Sequence, residues 1–390
     1  MKMKNTAIPK CNGLIKWSVF LAILILAGAC KRSAISGEMT ASVIPPEPDP
    51  KGYVCYRTAS PIKPDGILDE PSWNAAPWSD YFVDIEGDAK PAPAYKTRVK
   101  MLWDNSNLYI AAELEEPHVW ATLRQRDTVI FIDNDFEVFI DPDGDTQNYY
   151  ELEVNAFGTE WDLLLTKPYR DDGGFPINGW DIKGLRTGTH VDGTINKPDD
   201  TDRGWSVEIV LPLAALRECA GIAGLPEPGD QWRINFSRVE WRAVIENGKY
   251  RKEINPETKR PFPEDNWVWS PQGRINMHMP EMWGYLQFSG LTAGAGTEDF
   301  IPDRDLGRKW ALRMIYYAEK EYFKKYGKYT SCLKDLGLKI SDFPENVPTP
   351  RIERTRTTFE CYFPKGNEES NLVIYNDGRL TDLKRSSENR

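Results

Sequence analysis

Residues 133–165 contain two short runs in which apolar and polar side chains alternate strictly on either side of an acidic turn. Alternation with a period of two is typical of a β-strand that buries one face. In the second run, one face is apolar, and the other carries carboxylates, an amide and a tyrosine. The apolar set is Tyr150, Leu152, Val154 and Ala156, and the opposite set is Tyr149, Glu151, Glu153 and Asn155. The pattern therefore predicts a pair of neighbouring strands.

The first run obeys the same rule. Phe136, Val138 and Ile140 are expected to pack in the core, so Glu137 and Phe139 face the other way. A sheet face of acids, amides and aromatic rings contains no nucleophile with an adjacent base. The sequence favours a surface that holds a hydroxylated ligand over one that cleaves it.

The first 29 residues are predicted to be an export signal, because a lysine-rich start precedes an apolar run, Trp17–Leu26, that is too short to span a bilayer. The segment ends in Leu-Ala-Gly-Ala-Cys and resembles a bacterial lipobox. That resemblance implies cleavage before Cys30 and lipidation of Cys30. The alternative is an ordinary secretory signal, in which Cys30 has no special role.

Residues 30–50, rich in proline and serine, are predicted to be a tether. We expect an exported lipoprotein of the cell envelope, on the outer membrane, on its periplasmic or surface side.

The charge of the chain bears on its partners. The formal net charge is −10, and loss of a signal segment with four lysines and no acids would bring it to −14. Nucleic acid is therefore excluded as an expected partner, because phosphates require clustered cations. A neutral poly- or oligosaccharide imposes no such requirement, and 14 tryptophans could supply stacking rings. A protein complex of the envelope is a further expected partner.

Residues 51–290 are predicted to form one antiparallel β-sandwich, and residues 297–390 a small α+β appendage of unknown role. Two long loops, 167–179 and 245–266, are large enough to be functional. In the appendage we predict a helix over 306–326, a second short helix over 332–338 and two short strands. The predicted sandwich strands are 96–103, 108–114, 136–140, 149–156, 160–165, 182–190, 205–211, 231–237 and 282–288.

The cysteines leave two alternatives open. In an oxidising compartment Cys332 could pair with Cys361, and Cys55 with Cys219. Free buried thiols are equally compatible with the sequence. No cysteine spacing indicates a zinc site.

Several blocks, in order over residues 52–288, resemble the family 9 carbohydrate-binding modules in a divergent form. The blocks are Asp65–Trp73, Val99–Leu114, Phe136–Asp143, Asn148–Asn155, Gly204–Leu211, Trp269–Pro271 and Met282–Gly284. The resemblance implies a β-sandwich that holds sugars between two aromatic rings and has no catalytic role of its own.

Only some of the sugar-binding positions of the family are matched by the same residue type in this sequence. The sugar-bonding glutamate of the family falls on Glu137 and its asparagine on Asn155, whereas the arginine two residues earlier falls on Glu153. The first aromatic clamp falls on Phe131. The second falls near Met277 and His278, where no tryptophan stands, so both tryptophan clamps are missing.

The residues themselves suggest replacements. In the run 231–237, Arg233 and Asn235 share one face, and Arg233 is expected to pair with Glu153 if the strands adjoin. Trp241 and Trp267 flank the second long loop and could rebuild a stacking surface. The alternative is that these polar residues form a solvated sheet face.

Asp141, Asp143 and Asp145 alternate across the acidic turn. Carboxylate oxygens in a tight loop attract Ca²⁺, and the family resemblance allows a structural calcium there. The run is not an EF-hand, because Thr146 stands where glycine is required. A plain acidic turn is the alternative, and no cofactor is required by the sequence.

Three other functions stay open. A glycosidase needs two carboxylates set across a cleft. A related sandwich could hold a b-type haem through Met277, His278 or Met279. A scaffold lipoprotein that has lost sugar binding is the third.

Overall fold

The computed structural model describes residues 44–171, 176–221, 224–364 and 372–383. The predicted signal, Cys30 and the first part of the tether lie outside these residues. From Ile44 onward the chain lies against the folded body: Pro45 and Pro48 are buried, and Ile44 packs on the C-terminal core. No helix among the described residues combines the length and apolarity needed to cross a membrane.

Two layers of strands enclose one apolar core. One layer has the order β8-β7-β6-β5-β11-β15 and the other β1-β3-β4-β10-β9. The strands are β1 Gly52–Arg57, β2 Val83–Asp84, β3 Thr97–Trp103, β4 Asn107–Glu115, β5 Asp135–Asp141, β6 Tyr149–Asn155, β7 Glu160–Leu165, β8 Pro176–Ile177, β9 Arg186–Asp192, β10 Gly204–Pro212, β11 Gln231–Glu240, β12 Ala243–Glu246, β13 Lys249–Lys252, β14 Asp265–Val268 and β15 Gly284–Thr292.

The predicted sandwich is confirmed, and its apolar faces meet as the alternation requires. Val138 and Leu152 from one layer share a core cluster with Val99, Ile110 and Val207 from the other. Most strand pairs are antiparallel, but β1 runs parallel to both β15 and β3 and joins the two layers. There are two short helices: α1 Pro71–Ala75 packs through Trp73 on the outer face of the second layer, and α2 Leu213–Leu216 follows β10 directly.

The second long loop contains a hairpin. Strands β12 and β13 pair directly, and Asn247 and Gly248 between them both have positive φ angles. Two consecutive positive φ angles make a tight hairpin turn, for which Asn-Gly is the preferred sequence. This hairpin places Trp241 and Lys252 beside the polar face of the first layer.

The C-terminal segment contains one long helix, α3 Leu306–Tyr326, and a four-stranded sheet. The helix has the bounds predicted from sequence, and its apolar stripe packs in a second core with the sheet. Residues 332–338 form turns, so the second predicted helix is wrong. The sheet strands are β16 Arg351–Arg354, β17 Phe359–Tyr362, β18 Leu372–Tyr375 and β19 Leu380–Asp382.

The four cysteines in the described residues are free. Cys361 lies in the second core and Cys332 is exposed, so the suggested pairing between them is absent. Cys55 is buried in the sandwich core, where burial raises the pKa of its thiol.

Candidate functional site

The polar faces of β5, β6 and β11 join into one surface, which we call the acidic floor. Its central row crosses the sheet from Glu153 through Glu137 to Ser237, because these residues are register partners. Asp135 and Glu151 belong to the adjoining rows and face the same side. Glu137, Glu151 and Glu153 were identified from the alternation, whereas Asp135 and Ser237 were not singled out, although the same period-two rule places both on this face.

The acidic floor is not the solvated sheet face considered as an alternative. Asp135, Glu151 and Glu153 are buried, and Glu137 is only 5% exposed. The segment 123–132 and the segment 277–283 fold over the sheet and pack on Phe139, Tyr149 and Trp161. Among the described floor acids, Glu137 and Glu151 keep the most contact with solvent, at 5% exposure each, and we call this point the opening of the floor.

Burial makes ionisation of these carboxyl groups costly. It raises the pKa of Glu137 to about 7, and it raises the pKa values of Asp135, Glu151 and Glu153 well above their usual range. The neighbouring acids add to this effect, because each negative charge disfavours the next. The charges that act on the four groups are themselves carboxylates.

Asn155 has a structural role in this arrangement. Its amide nitrogen donates to the Leu123 carbonyl oxygen at 2.9 Å and to Asp133 at 3.1 Å. Its amide oxygen accepts hydrogen bonds from the backbone N–H groups of Phe157 and Thr159. The predicted sugar contact therefore has its hydrogen-bonding capacity occupied, and the residue fixes the segment that covers the floor.

One rim of the floor is aromatic. Phe131 is 37% exposed, and its backbone N–H donates to Glu153 at 2.9 Å. Its carbonyl oxygen accepts the indole N–H of Trp241 at 2.8 Å. Lys252 lies over the Trp241 ring, 3.1 Å from its centroid, and burial lowers the pKa of Lys252 to about 8. Phe131 and Trp241 therefore form a linked pair beside the floor.

Tyr169 and His278 form a second rim beside the floor. Tyr169 is 51% exposed, and its ring meets the His278 ring edge-on at 4.4 Å. His278 Nδ1 lies 3.0 Å from the Tyr149 hydroxyl, and burial followed by the charge of Arg170 lowers the pKa of His278 to about 3. Sequence reasoning missed Tyr169, because it belongs to a loop without periodicity. Glu151 and Glu153 act electrostatically on Tyr169, which places this ring beside the floor.

The expected pair between Arg233 and Glu153 is wrong. In the observed register Arg233 stands opposite Asp141, whereas Ser237, four residues further along β11, stands opposite Glu137. Four residues of a strand span about 13 Å, too far for the expected pair with Glu153. The guanidinium group instead donates to the Trp283 carbonyl oxygen and stacks on Tyr285 at 3.8 Å.

Asn235 and Trp267 also belong to the framework. The buried Asn235 amide donates to the Ser270 carbonyl oxygen and accepts the Ser270 N–H, so it ties β11 to the next loop. Trp267 is 5% exposed and packs in the sandwich core against Tyr95. Its strand, β14, pairs with β11 and turns the ring inward, which corrects its predicted role as a stacking surface.

The acidic turn satisfies much of its own charge. Both Asp141 oxygens accept backbone N–H groups, from Gly144 and Thr146, and Asp145 accepts the N–H of Gln147. Oxygens of the three aspartates still lie within 4.8 Å of one another, so the residues are compatible with the predicted calcium. The C-terminal segment also docks here, since Leu380 N–H donates to the Asp145 carbonyl oxygen at 3.1 Å.

The candidate haem ligands do not converge. The side chain of Met279 packs in the second core with α3, whereas Met277 packs on the cover of the acidic floor and His278 contacts Tyr149.

Comparison with known proteins was made at the levels of sequence and fold. Residues 64–223 match the model of a family described as carbohydrate family 9 binding domain-like. The search of curated proteins found no match. One similar solved structure is a candidate carbohydrate-binding protein from Bacteroides uniformis, with 17% identity over 62% of this chain and 100% of that chain, at a TM-score of 0.45.

Two further structures are family 9 modules from Caldicellulosiruptor kristjanssonii. The complex with cellotriose has 16% identity over 64% of this chain and 100% of that chain, at a TM-score of 0.40. The complex with glucose has 16% identity over 65% of this chain and 100% of that chain, at a TM-score of 0.38. The matched region, 64–223, contains Phe131, four strands of the first layer and most of the acidic floor. Over residues 64–223 the chain is thus similar to the carbohydrate family 9 binding domain-like family.

Proposed function

We propose that this protein binds carbohydrate without cleaving it and is held at a membrane of the cell envelope through a lipid on Cys30. The family domain carries the proposal for the ligand class. The exposed rings of Phe131 and Tyr169, together with the polar floor beside them, supply the two features that a sugar site needs. Aromatic rings stack on the C–H faces of a pyranose, and polar groups bond its hydroxyls.

The arrangement of the carboxyl groups supports binding over hydrolysis. A glycosidase sets an acid and a base or nucleophile on either side of the bond that it cleaves. Here Glu137 and Glu153 lie side by side on one sheet face, as register partners under a cover. Such a floor can accept hydrogen bonds from hydroxyl groups at its opening.

Binding of glycans to the full chain, solubilised in detergent, tests the ligand class. We expect an array to identify a retained poly- or oligosaccharide, and Phe131→Ala and Tyr169→Ala to weaken it about tenfold each, because each removes one stacking ring. Tyr326→Ala is the matched control, since Tyr326 is 52% exposed but lies at the end of α3. Equal affinity in all three variants would contradict the assigned rims, and an array without any retained glycan would contradict the function.

The membrane attachment rests on the lipobox resemblance and has its own test. Metabolic labelling with a radioactive fatty acid should mark the parent chain and leave Cys30→Ser unlabelled. Labelling of both chains would contradict attachment at Cys30. A partner complex in the envelope is part of the same proposal, and co-purification from solubilised membranes addresses it.

A further inference from the structure

The acidic floor lacks a counter-charge. Within the part of the chain that the structure describes, no lysine or arginine forms an ion pair with Asp135, Glu137, Glu151 or Glu153. The nearby Lys252 acts instead on Asp133 and Glu264. Four buried carboxyl groups that repel one another are unfavourable unless they are protonated or share a cation.

Two other groups of three acids lie in the described residues; one is compensated by an arginine and the other in part by backbone N–H groups. Asp127, Asp162 and Asp181 all contact the guanidinium group of Arg126. The acidic turn accepts backbone N–H groups on both Asp141 oxygens and on Asp145, although burial and the neighbouring aspartates still raise the pKa of Asp143 to about 9. The acidic floor has the Phe131 N–H on Glu153, and the Ser237 hydroxyl and the Val239 N–H lower the pKa values of Glu137 and Asp135, but it has no positive charge among the described residues.

Buried polar atoms without partners lie in the same place. Asp135 is fully buried, and neither of its carboxylate oxygens has a hydrogen-bond donor of acceptable geometry. The hydroxyl oxygen of Ser237, also fully buried, has no partner of full hydrogen-bond geometry, although it is close enough to Glu137, its register partner, to lower the pKa of that acid. Unsatisfied buried polar atoms are rare in folded proteins and call for an explanation such as an ion.

The spacing of the oxygens fits a metal ion. One oxygen from each of Asp135, Glu137 and Glu153 lies within 4.8 Å of the other two. Oxygens that share a calcium ion, each about 2.3–2.6 Å from it, are at most about 5 Å apart. We propose that Asp135, Glu137 and Glu153 bind a divalent cation, calcium, with the Ser237 hydroxyl as a neutral oxygen ligand.

The site is distinct from the predicted calcium of the acidic turn. It stands on the polar face of the sheet, and the opening at Glu137 and Glu151 would let the ion exchange with solvent. The proposal does not depend on saccharide binding, because its ligands are protein oxygens. A bound ion at this position would also offer open coordination sites to hydroxyl groups of a ligand between the rims.

Terbium luminescence in the absence of any glycan tests the proposal. Trp161 is the register partner of Glu153 on β7, so its indole can transfer excitation energy to Tb³⁺ at the floor. The full chain, freed of metal with a chelator, should show saturable emission that Ca²⁺ displaces. The variant Asp135→Asn/Glu137→Gln keeps the side-chain shapes, and we expect it to bind Tb³⁺ at least about tenfold more weakly.

Matched variants locate the ion. Asp143→Asn/Asp145→Asn removes two charges from the acidic turn and should retain the emission that depends on the floor. If this variant loses the emission and the floor variant keeps it, the proposal is overturned. A parent chain without emission, and without a Ca²⁺-dependent rise in the unfolding temperature, would also overturn it. Should the floor variant not fold, Ser237→Ala gives the same test with a smaller change, and unaltered Ca²⁺ affinity there would remove Ser237 from the ligand set.

Discussion

At single residues of the site, burial shifts the pKa of an acid and the pKa of a base in opposite directions. It raises the pKa of Glu137, an acid, and lowers the pKa of His278, a base, because in each case it disfavours the charged form. The two residues have different neighbours. Glu137 has acids around it, whereas His278 has the Tyr149 hydroxyl and the positive charge of Arg170.

The histidine leads to a prediction for acid stability. Folded His278 stays neutral down to about pH 3, whereas in the unfolded chain it takes up a proton below about pH 6.5. Its contribution to stability is therefore complete above pH 6.5 and is lost as the pH falls from there towards 3. We expect His278→Gln to reduce the loss of unfolding free energy between pH 7 and pH 5 by about 1–2 kcal/mol relative to the parent, since part of the ring is accessible to solvent.

Denaturant unfolding at several pH values measures this difference. Comparison with the parent cancels the contributions of the other titratable groups. His190→Gln, on the exposed end of β9, is the control and should match the parent profile. A profile of His278→Gln as steep as that of the parent would show that this imidazole is protonated in the folded chain.

Among the secondary-structure elements, the bounds of helix α3 could be predicted because the sequence carries clear helix signals. Apolar residues recur at helical spacing along it, and Gly327 stands at its end in the left-handed conformation, with φ of +64°. The backbone N–H of Gly327 donates to the Phe323 carbonyl oxygen at 2.7 Å and closes the last turn. A residue with a Cβ adopts this conformation with difficulty.

Replacement of Gly327 gives a prediction for the helix. A Cβ at Gly327 meets no atom within 4 Å, so the cost of Gly327→Ala is conformational only, about 1 kcal/mol of unfolding free energy. Gly179→Ala is the matched control, because a Cβ there also meets open space and the backbone is not left-handed. Equal stabilities in thermal or urea unfolding would contradict the role of the cap.

Sheet register marks the limit of what the sequence could predict. Alternation identified the faces of β5 and β6 correctly, because one side of each strand is apolar and the other side carries the polar residues. It could not give the alignment of β11, because sliding a strand by four residues leaves the alternation unchanged. Arg233 was therefore placed beside Glu153, and Ser237 was overlooked. Trp267 was misplaced for a related reason: β14 is short, and its orientation depends on its partner strand.

At the scale of the whole molecule, the C-terminal segment is fastened to the sandwich by buried polar contacts. Arg170 and Glu281 form an ion pair at 2.9 Å, and the hydroxyl groups of Tyr317 and Tyr316 donate to Glu281 and Asp171. Burial opposes ionisation of Glu281, yet Arg170 and Arg313 hold its pKa below the usual value. These contacts join α3 to the loops that cover the acidic floor.

The ion pair predicts how the two segments unfold. Glu281→Ala leaves the buried Arg170 with only the more distant Asp171, at 3.7 Å, and should cost about 3 kcal/mol. Because α3 packs on the same contacts, helical circular dichroism and tryptophan fluorescence should change together in both parent and variant. Glu113→Ala removes the exposed partner of Arg98 and is expected to cost below about 1 kcal/mol. Loss of the helical signal before the fluorescence change would show that the segments unfold separately.

The packing of Ile44, Pro45 and Pro48 on the body has a consequence for reach. If a lipid holds Cys30 in the bilayer, the connection between that anchor and the folded body extends only from Cys30 to Ile44. Fully extended, those fourteen residue steps span at most about 50 Å. Ile44 would then stay within that distance of the lipid headgroups. Any polymer beyond the reach of the folded body from that point would not be bound.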